Sequence, residues 1–313
     1  MASLYSGRGA TIGLGQETTY NSAAGRTIWL PLISATMSRQ LTKTPRPTLR
    51  VGSAGAMRRA HFTSEDVVGG DFVCEASHYD MGLLIKNILG AAATTGSGDP
   101  YTHTYTIADD VPVGLTLEMV RGTGTGETFT GCRIESATFD VSPGGVMTVA
   151  CSVIGKTKGA RGSAATPSIS ATDDPILHSQ AGTLAFGGNT FTLSSMSLTI
   201  NNGLARRQLL GASTTAQPLR SDYQSVEMAV TLEVQDQLLT DHLNDTEGDA
   251  VITFTSGTHS TAFTVQNAYL ATATDPISDA GIVTQSCTLV GQSDGTDEGL
   301  KIVNLNARSS AVG

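Results

Sequence analysis

The feature that most constrains this chain is that it repeats itself. Gly145-Val-Met-Thr-Val-Ala-Cys-Ser-Val-Ile-Gly155 returns as Gly281-Ile-Val-Thr-Gln-Ser-Cys-Thr-Leu-Val-Gly291, 136 positions later (281 − 145). Ile33–Leu41 matches Met196–Leu204 at a spacing of 163 (196 − 33), and Phe72–Leu89 lies over Val226–Leu243 at 154 (226 − 72). The matches keep their order while the spacing shrinks, as a second copy with shorter loops between the same elements requires. A chain of 313 residues can bury one large core or two of ordinary domain size. The expected division is an N-terminal arm over 1–27, a first domain over 28–158, a connector over 159–190, a second domain over 191–306 and a tail over 307–313.

Within each copy the periodicity is mainly that of strands. Leu115, Leu117 and Met119 alternate with Thr116 and Glu118, and Ile252 and Phe254 flank Thr253, the pattern of half-buried strands. One helix interrupts each copy. Met81, Leu84, Ile85, Ile88 and Leu89 fall on one helical stripe, with Ser77 and Asp80 spaced as a capping box and Gly90 as a stop. Its counterpart carries Leu238, Leu239 and Leu243 after Thr231 and stops at Asn244, but Gln235 and His242 stand at apolar positions. The predicted fold is mainly β: two tandem β-sandwich or split-barrel domains, each with one flanking α-helix that covers an open edge.

Composition agrees and removes several function classes. Charged residues are 15% of the chain, below the usual quarter or so, and 35 glycines suit short strands and many turns. Low charge also points to a surface that meets other protein. A net charge of −9 disfavours nucleic-acid binding, which needs a concentrated Lys/Arg face. No apolar run of 18 residues is present to span a membrane. Met1–Gly15 lacks the charged start and apolar stretch of a secretory signal, so the expected compartment is the cytosol where it is made.

No catalytic or metal constellation emerges, and no cofactor is expected. Cys74, Cys132, Cys151 and Cys287 have no zinc spacing and read as buried free thiols. Gly122-Thr-Gly-Thr-Gly126 precedes strand-like residues rather than a helix, so it reads as a hairpin turn and not a phosphate loop. His61, His78, His103, His178, His242 and His259 are scattered without ligand spacing, and no Gly-x-Ser-x-Gly elbow occurs. Asp109-Asp110, Asp173-Asp174 and Asp294–Glu298 read as solvated turns rather than calcium ligands, and the Asn244-Asp-Thr246 sequon has no secretory context.

A basic stretch is the most informative asymmetry. Lys43, Arg46, Arg50, Arg58 and Arg59 lie between Thr42 and Ser64 without an intervening acid; the second copy carries Arg206, Arg207 and Arg220 there. Acids gather elsewhere, at Asp236, Asp241, Asp245, Glu247 and Asp249. Three readings compete: a solvated loop, a nucleic-acid patch that lacks interleaved aromatics, and an inter-subunit loop that meets an acidic face of the next subunit. The last is favoured.

Ile12-Gly-Leu-Gly-Gln-Glu-Thr-Thr-Tyr20, Trp29-Leu-Pro31, the basic loop, Val67-Val-Gly-Gly-Asp-Phe72 and a single helix ending Leu-Gly-Ala follow in an order that resembles the tail tube (major tail) proteins of long-tailed phages, over about residues 12 to 306. The resemblance implies a structural virion protein of the siphophage kind, assembled in the host cytoplasm. Rings of such proteins join their sheets around a lumen and stack into a tube through which DNA leaves the capsid. Many of these proteins carry one fold per chain in hexameric rings; two per chain imply a homotrimer with pseudo-sixfold symmetry. Implied partners are other copies of itself, tape measure, terminator and distal tail proteins, and DNA in transient passage, with no membrane. The alternative is a two-domain β-sandwich surface-binding module for carbohydrate or protein, which would display aromatics; here they are 5% of residues. An enzyme would need convergent titratable groups.

Overall fold

The computed structural model describes residues 7, 9–46, 61–121, 124–169, 174–234, 236–274, 283–296 and 298–311. The first half runs β1 (Thr11–Gln16), β2 (Ile28–Ala35), β3 (Ser38–Pro45), β4 (His61–Glu75), α1 (Gly82–Leu89), β5 (Gly90–Thr95), β6 (Tyr101–Ile107), β7 (Leu115–Val120), β8 (Thr125–Val141) and β9 (Thr148–Gly155), then two-residue strands β10 (Thr157–Lys158) and β11 (Gly162–Ser163). After a 3-10 turn at His178–Gln180 come β12 (Leu184–Phe186), β13 (Asn189–Phe191), β14 (Leu193–Asn201), β15 (Leu204–Arg207), β16 (Ala216–Arg220), β17 (Ser225–Glu233) and α2 (Asp236–Leu243). The chain ends with β18 (Glu247–Ser256), β19 (His259–Thr274), β20 (Thr284–Val290) and β21 (Leu300–Asn306). The fold is mainly β, as its periodicity predicts, with every strand pair of these ladders antiparallel.

In the first half β1, β2, β4, β9, β8 and β7 pair in turn and close back on β1. Closure leaves no open edge among those six strands. In the second half β14, β17, β20, β19, β18, β12 and β13 pair in that order without closing. Two further ladders tie the halves together: β8 pairs with β14, Ala137 opposite Ile200, and β6 pairs with β21, Tyr105 opposite Ile302. The core is shared too, since Phe139 of β8 packs edge-on against Phe263 of β19 at 5.4 Å.

The register repeats to the residue. On β8 and β9, Ile134 faces Val153 and Ser136 faces Ser152, so Glu135 bulges; on β19 and β20, Leu270 faces Leu289 and Thr272 faces Thr288, so Ala271 bulges. Each of these positions is shifted by 136 (270 − 134). A second bulge also recurs, between β7 and β8 and between β18 and β19. Its left-handed residue is Gly131 (φ 64°) in one half and Asn267 (φ 47°) in the other, again 136 apart (267 − 131).

The register refines two alignments. Phe72 faces Cys151 and Val230 faces Cys287, so β4 and β17 stand 158 apart (230 − 72), while the helices keep the spacing of 154 (236 − 82). The turn from strand to helix is therefore shorter in the second half. Ala35 faces Phe72 as Met196 faces Val230, so Met196 corresponds to Ala35 rather than Ile33, at 161 (196 − 35).

Helix α1 is buried at every residue but Lys86, because the β5–β6 hairpin covers its outer side. Its start differs from the capping-box expectation. Ser77 Oγ accepts the Asp80 N–H at 2.9 Å in the turn before the helix, and Met81 occupies the N-cap with no side-chain bond. Gly90 ends it at φ 114°, donating its N–H to the Lys86 carbonyl. Among the described residues no hairpin covers helix α2, which buries only Leu238 and Asp241. Thr231 lies within β17, and Gln235 is outside the described residues.

Candidate functional site

The surfaces that the fold makes conspicuous are those where strands meet and where they stop. At the β8–β14 seam Asn202, 2% exposed, donates from Nδ2 to the carbonyls of Ile88 (3.1 Å) and Ile134 (2.9 Å) and accepts from Gln224 Nε2 (2.8 Å). One amide thus satisfies the C-terminal end of α1 and the bulged carbonyl of β8. At the β6–β21 seam a buried polar network crosses between the halves. His78 Nδ1 lies 2.8 Å from Thr261 Oγ1, and His103 Nε2 lies 3.0 Å from Asn306 Oδ1. Asn306 Nδ2 donates to the His78 carbonyl, and Arg308 pairs with Asp80 and stacks on Tyr79. Burial pushes both imidazoles below their ordinary value, so they are held neutral.

One long sheet runs β3, β4, β9, β8, β14, β17, β20, β19. Its core face carries Phe139, Val149, Leu198, Met228 and Leu289. The opposite face is set by strict alternation on β17, whose Ser225, Glu227, Ala229 and Glu233 are exposed. In register beside them stand Thr199, Asn201, Thr138, Asp140, Ser152 and Thr148, with Asp71 and Glu75 on β4. Glu135 joins this face at its bulge, within reach of Ser152 Oγ. These positions are Ser, Thr, Asn, Ala and carboxylate, with no Lys or Arg among them. Its ends are β3 and the last turn of β19, each with one paired neighbour among the described residues. Large apolar side chains are exposed at the first end (Ile33, Leu41, Phe62) and beside the second (Val234, Leu243).

The predicted basic positions separate into two groups. Lys43 is exposed on β3 and Arg46 follows it, while Arg50, Arg58 and Arg59 lie outside the described residues. Arg206, Arg207 and Arg220 sit on the β15–β16 ribbon and are engaged within the chain. Arg206 Nη1 donates to the Val68 carbonyl (3.2 Å), Arg207 to that of Gln217, and Arg220 to those of Ala108 and Asp109. Two of the three therefore bridge the second half to the first. Sequence reasoning missed Asn202, His78, Asn306 and Glu17, all buried polar groups whose partners lie far along the chain, so no local spacing marks them.

The four cysteines are buried and free, and burial pushes Cys74 and Cys287 up to about 12, too high for a useful thiolate. Burial works to raise the Glu127 carboxyl, but hydrogen bonds from Arg161 and Lys158 and nearby positive charge outweigh it and hold the group below its ordinary value. Among the described residues no group of three or more His, Cys, Asp or Glu could hold a metal ion. Asp173, Asp297, Gly122 and Thr123 of the acidic and glycine-rich turns lie outside those residues; Arg121 N–H donating to the Thr125 carbonyl marks the β7–β8 hairpin. No described helix is long and apolar enough to cross a membrane.

No curated protein matches the chain. The family model for phage tail tube proteins matches residues 7–291, which takes in the closed strands, both helices, the β8–β14 seam and the acidic face. A chain matched over nearly its whole length, whose conspicuous surfaces are sheet ends and an unreactive polar face, belongs to the phage tail tube protein family.

Proposed function

We propose that three copies of this chain close a ring with pseudo-sixfold symmetry, that rings stack into the tail tube, and that DNA passes through the lumen from capsid to host. The observation that carries this reading is the β8–β14 ladder, in which the last strand of one unit's sheet pairs with the first strand of the next. The shifts of 136 and 161 give its interchain equivalent: Thr272, Ala273 and Thr274 of one copy opposite Gln40, Arg39 and Ser38 of its neighbour, both ends that now have one partner. Head-to-tail contacts of this kind close into rings when their rotation permits. Three eight-strand sheets at about 4.8 Å per strand make a barrel roughly 37 Å across its backbone before strand tilt widens it, wide enough for a duplex. The carboxylate face then lines the lumen and repels phosphate instead of binding it.

The repeating units on this reading are 28–158 and 191–306, joined by 159–190. The chain is non-catalytic, resides in the virion tail after assembly in the host cytoplasm, and meets tape measure, terminator and distal tail proteins where the tube ends. Nothing in the family match favours a surface-binding module. Negative-stain microscopy with symmetry analysis tests the reading: threefold rings with six similar lobes are expected, and discrete monomers, or six chains per ring, overturn it.

A further inference from the structure

In the first half the flank of β4 is occupied. The end of the second half's β15–β16 ribbon lies along it: Asp66 N–H donates to the Ser213 carbonyl at 2.8 Å, Gln208 Nε2 to that of Ser64 at 3.2 Å, and Arg206 to that of Val68. Asp66 and Thr214 form a parallel bridge there. Because Val68 faces Gly155 while Gly291 N–H donates to the Val226 carbonyl, Ser64, Asp66 and Val68 correspond to Asp222, Gln224 and Val226, each 158 on (226 − 68). Those three residues line a cavity of about 650 Å³, together with Asp109, Tyr223 and Glu298. Tyr223 is 94% exposed, and Gln224 Oε1 is a buried acceptor with no partner. The seat is filled in one half, and in the other no described residue occupies it.

Resting on the ring reading above, we propose that this cavity receives the segment joining β3 to β4, residues 46–60, of a neighbouring copy. That segment is the counterpart of the ribbon end that fills the first seat, since it too connects the two strands leading away from the seam. Its chemistry fits. Residues 46–60 carry Arg46, Arg50, Arg58 and Arg59 and no acid. The cavity offers the carboxylates of Asp109, Asp222 and Glu298 against one cation, Arg220, whose guanidinium already donates to the carbonyls of Ala108 and Asp109. Arginine also stacks on an exposed tyrosine face and donates to a lone amide oxygen. Charge complementarity of this sort fixes which neighbour is accepted and in what register.

The test compares four full-length proteins by sedimentation and negative-stain microscopy: wild type, Asp222→Lys/Glu298→Lys, Arg58→Glu/Arg59→Glu, and all four changes combined. Each double variant should lose roughly tenfold in pelletable assembly, and the combined variant should regain it by swapped charge. A cavity variant that assembles like wild type overturns the seat and leaves the tube reading intact; a wild type that forms neither ring nor tube overturns the tube reading itself. A second measurement covers variants that fail to fold. In Ala56→Cys/Tyr223→Cys the four native thiols are buried, so oxidation of assembled protein should give a ladder of interchain disulfides; assembly without a ladder overturns the proposal.

Discussion

Glu17 is 2% exposed, and its carboxylate accepts from Asn21 N–H (2.7 Å), Thr116 Oγ1 (2.9 Å) and Gly131 N–H (2.8 Å). It fastens the β1–β2 turn to β7 and to the left-handed bulge of β8, which gives the Gln-Glu-Thr-Thr-Tyr motif a physical reason. Glu17→Ala leaves three donors without that acceptor and should cost about 3 kcal/mol in urea unfolding. Gly70 (φ 138°) stands where β4 changes neighbour from β3 to β2, and a Cβ there would lie 2.8 Å from the Thr36 carbonyl oxygen. Gly70→Ala should lose about 1–3 kcal/mol by the same measurement. The neutral histidines set a pH dependence. With native values below the ordinary 6.5, His78 and His103 bind fewer protons folded than unfolded once pH drops under about 6.5. Stability should be level between about pH 7 and 8, fall from about pH 6.5 downward, and fall again above about pH 9 as the buried thiols are drawn to ionise on unfolding; a His78→Gln/His103→Gln variant should lose the acid slope in thermal melts.

The two helices show what an element owes to its cover. Leu84 of α1 is fully buried, whereas Leu243 at the end of α2 is 75% exposed. Leu84→Ala should cost about 2–5 kcal/mol, and Leu243→Ala in the soluble chain about 0.5 kcal/mol or less, by denaturant titration. The sequence already hinted at this contrast, because Gln235 and His242 weaken the second stripe. Strand alternation and the Gly–Cys–Gly match were equally legible, since burial on one face leaves a period of two in the residues themselves. The β5–β6 hairpin and the closure of the first six strands were not. Gly90–Thr95 is Gly, Ala and Thr, without alternation, and becomes a strand by pairing with β6, whose other edge is held by β21 two hundred residues on. Thr11–Gln16 was expected in an extended arm, yet it forms β1 between β2 and β7, a placement set by partners distant in sequence. The seams escaped for the same reason: Asn202 and Asn306 are ordinary polar residues until the chain brings remote carbonyls to them.

On the scale of the whole molecule, the decisive property is the sign of charge on one sheet face. Asp71, Glu75, Glu135, Asp140, Glu227 and Glu233 share it, and the cations among the described residues of that side, Arg133 opposite Ile154 and Arg206 beside Ser38 and Gln40, stand toward one end of it, while ion pairs such as Arg161–Glu127 and Arg26–Glu118 stud the opposite layer. Chance placement would scatter cations among these carboxylates. A surface that DNA must slide along has a reason to exclude them, because each phosphate neutralised releases counterions and holds the duplex in place. Substituting Asp71→Lys, Glu227→Lys and Glu233→Lys changes the face by six charges per chain while altering only exposed side chains. The variant should still assemble, since neither seam nor the proposed interchain edges is touched. Its tubes should retain linear duplex DNA in a filter or co-sedimentation assay at about 50 mM salt and release it by about 200 mM, and wild-type tubes should retain none at either concentration. Wild-type tubes that hold DNA as firmly as the lysine variant would show that this face is not the wall along which the genome travels.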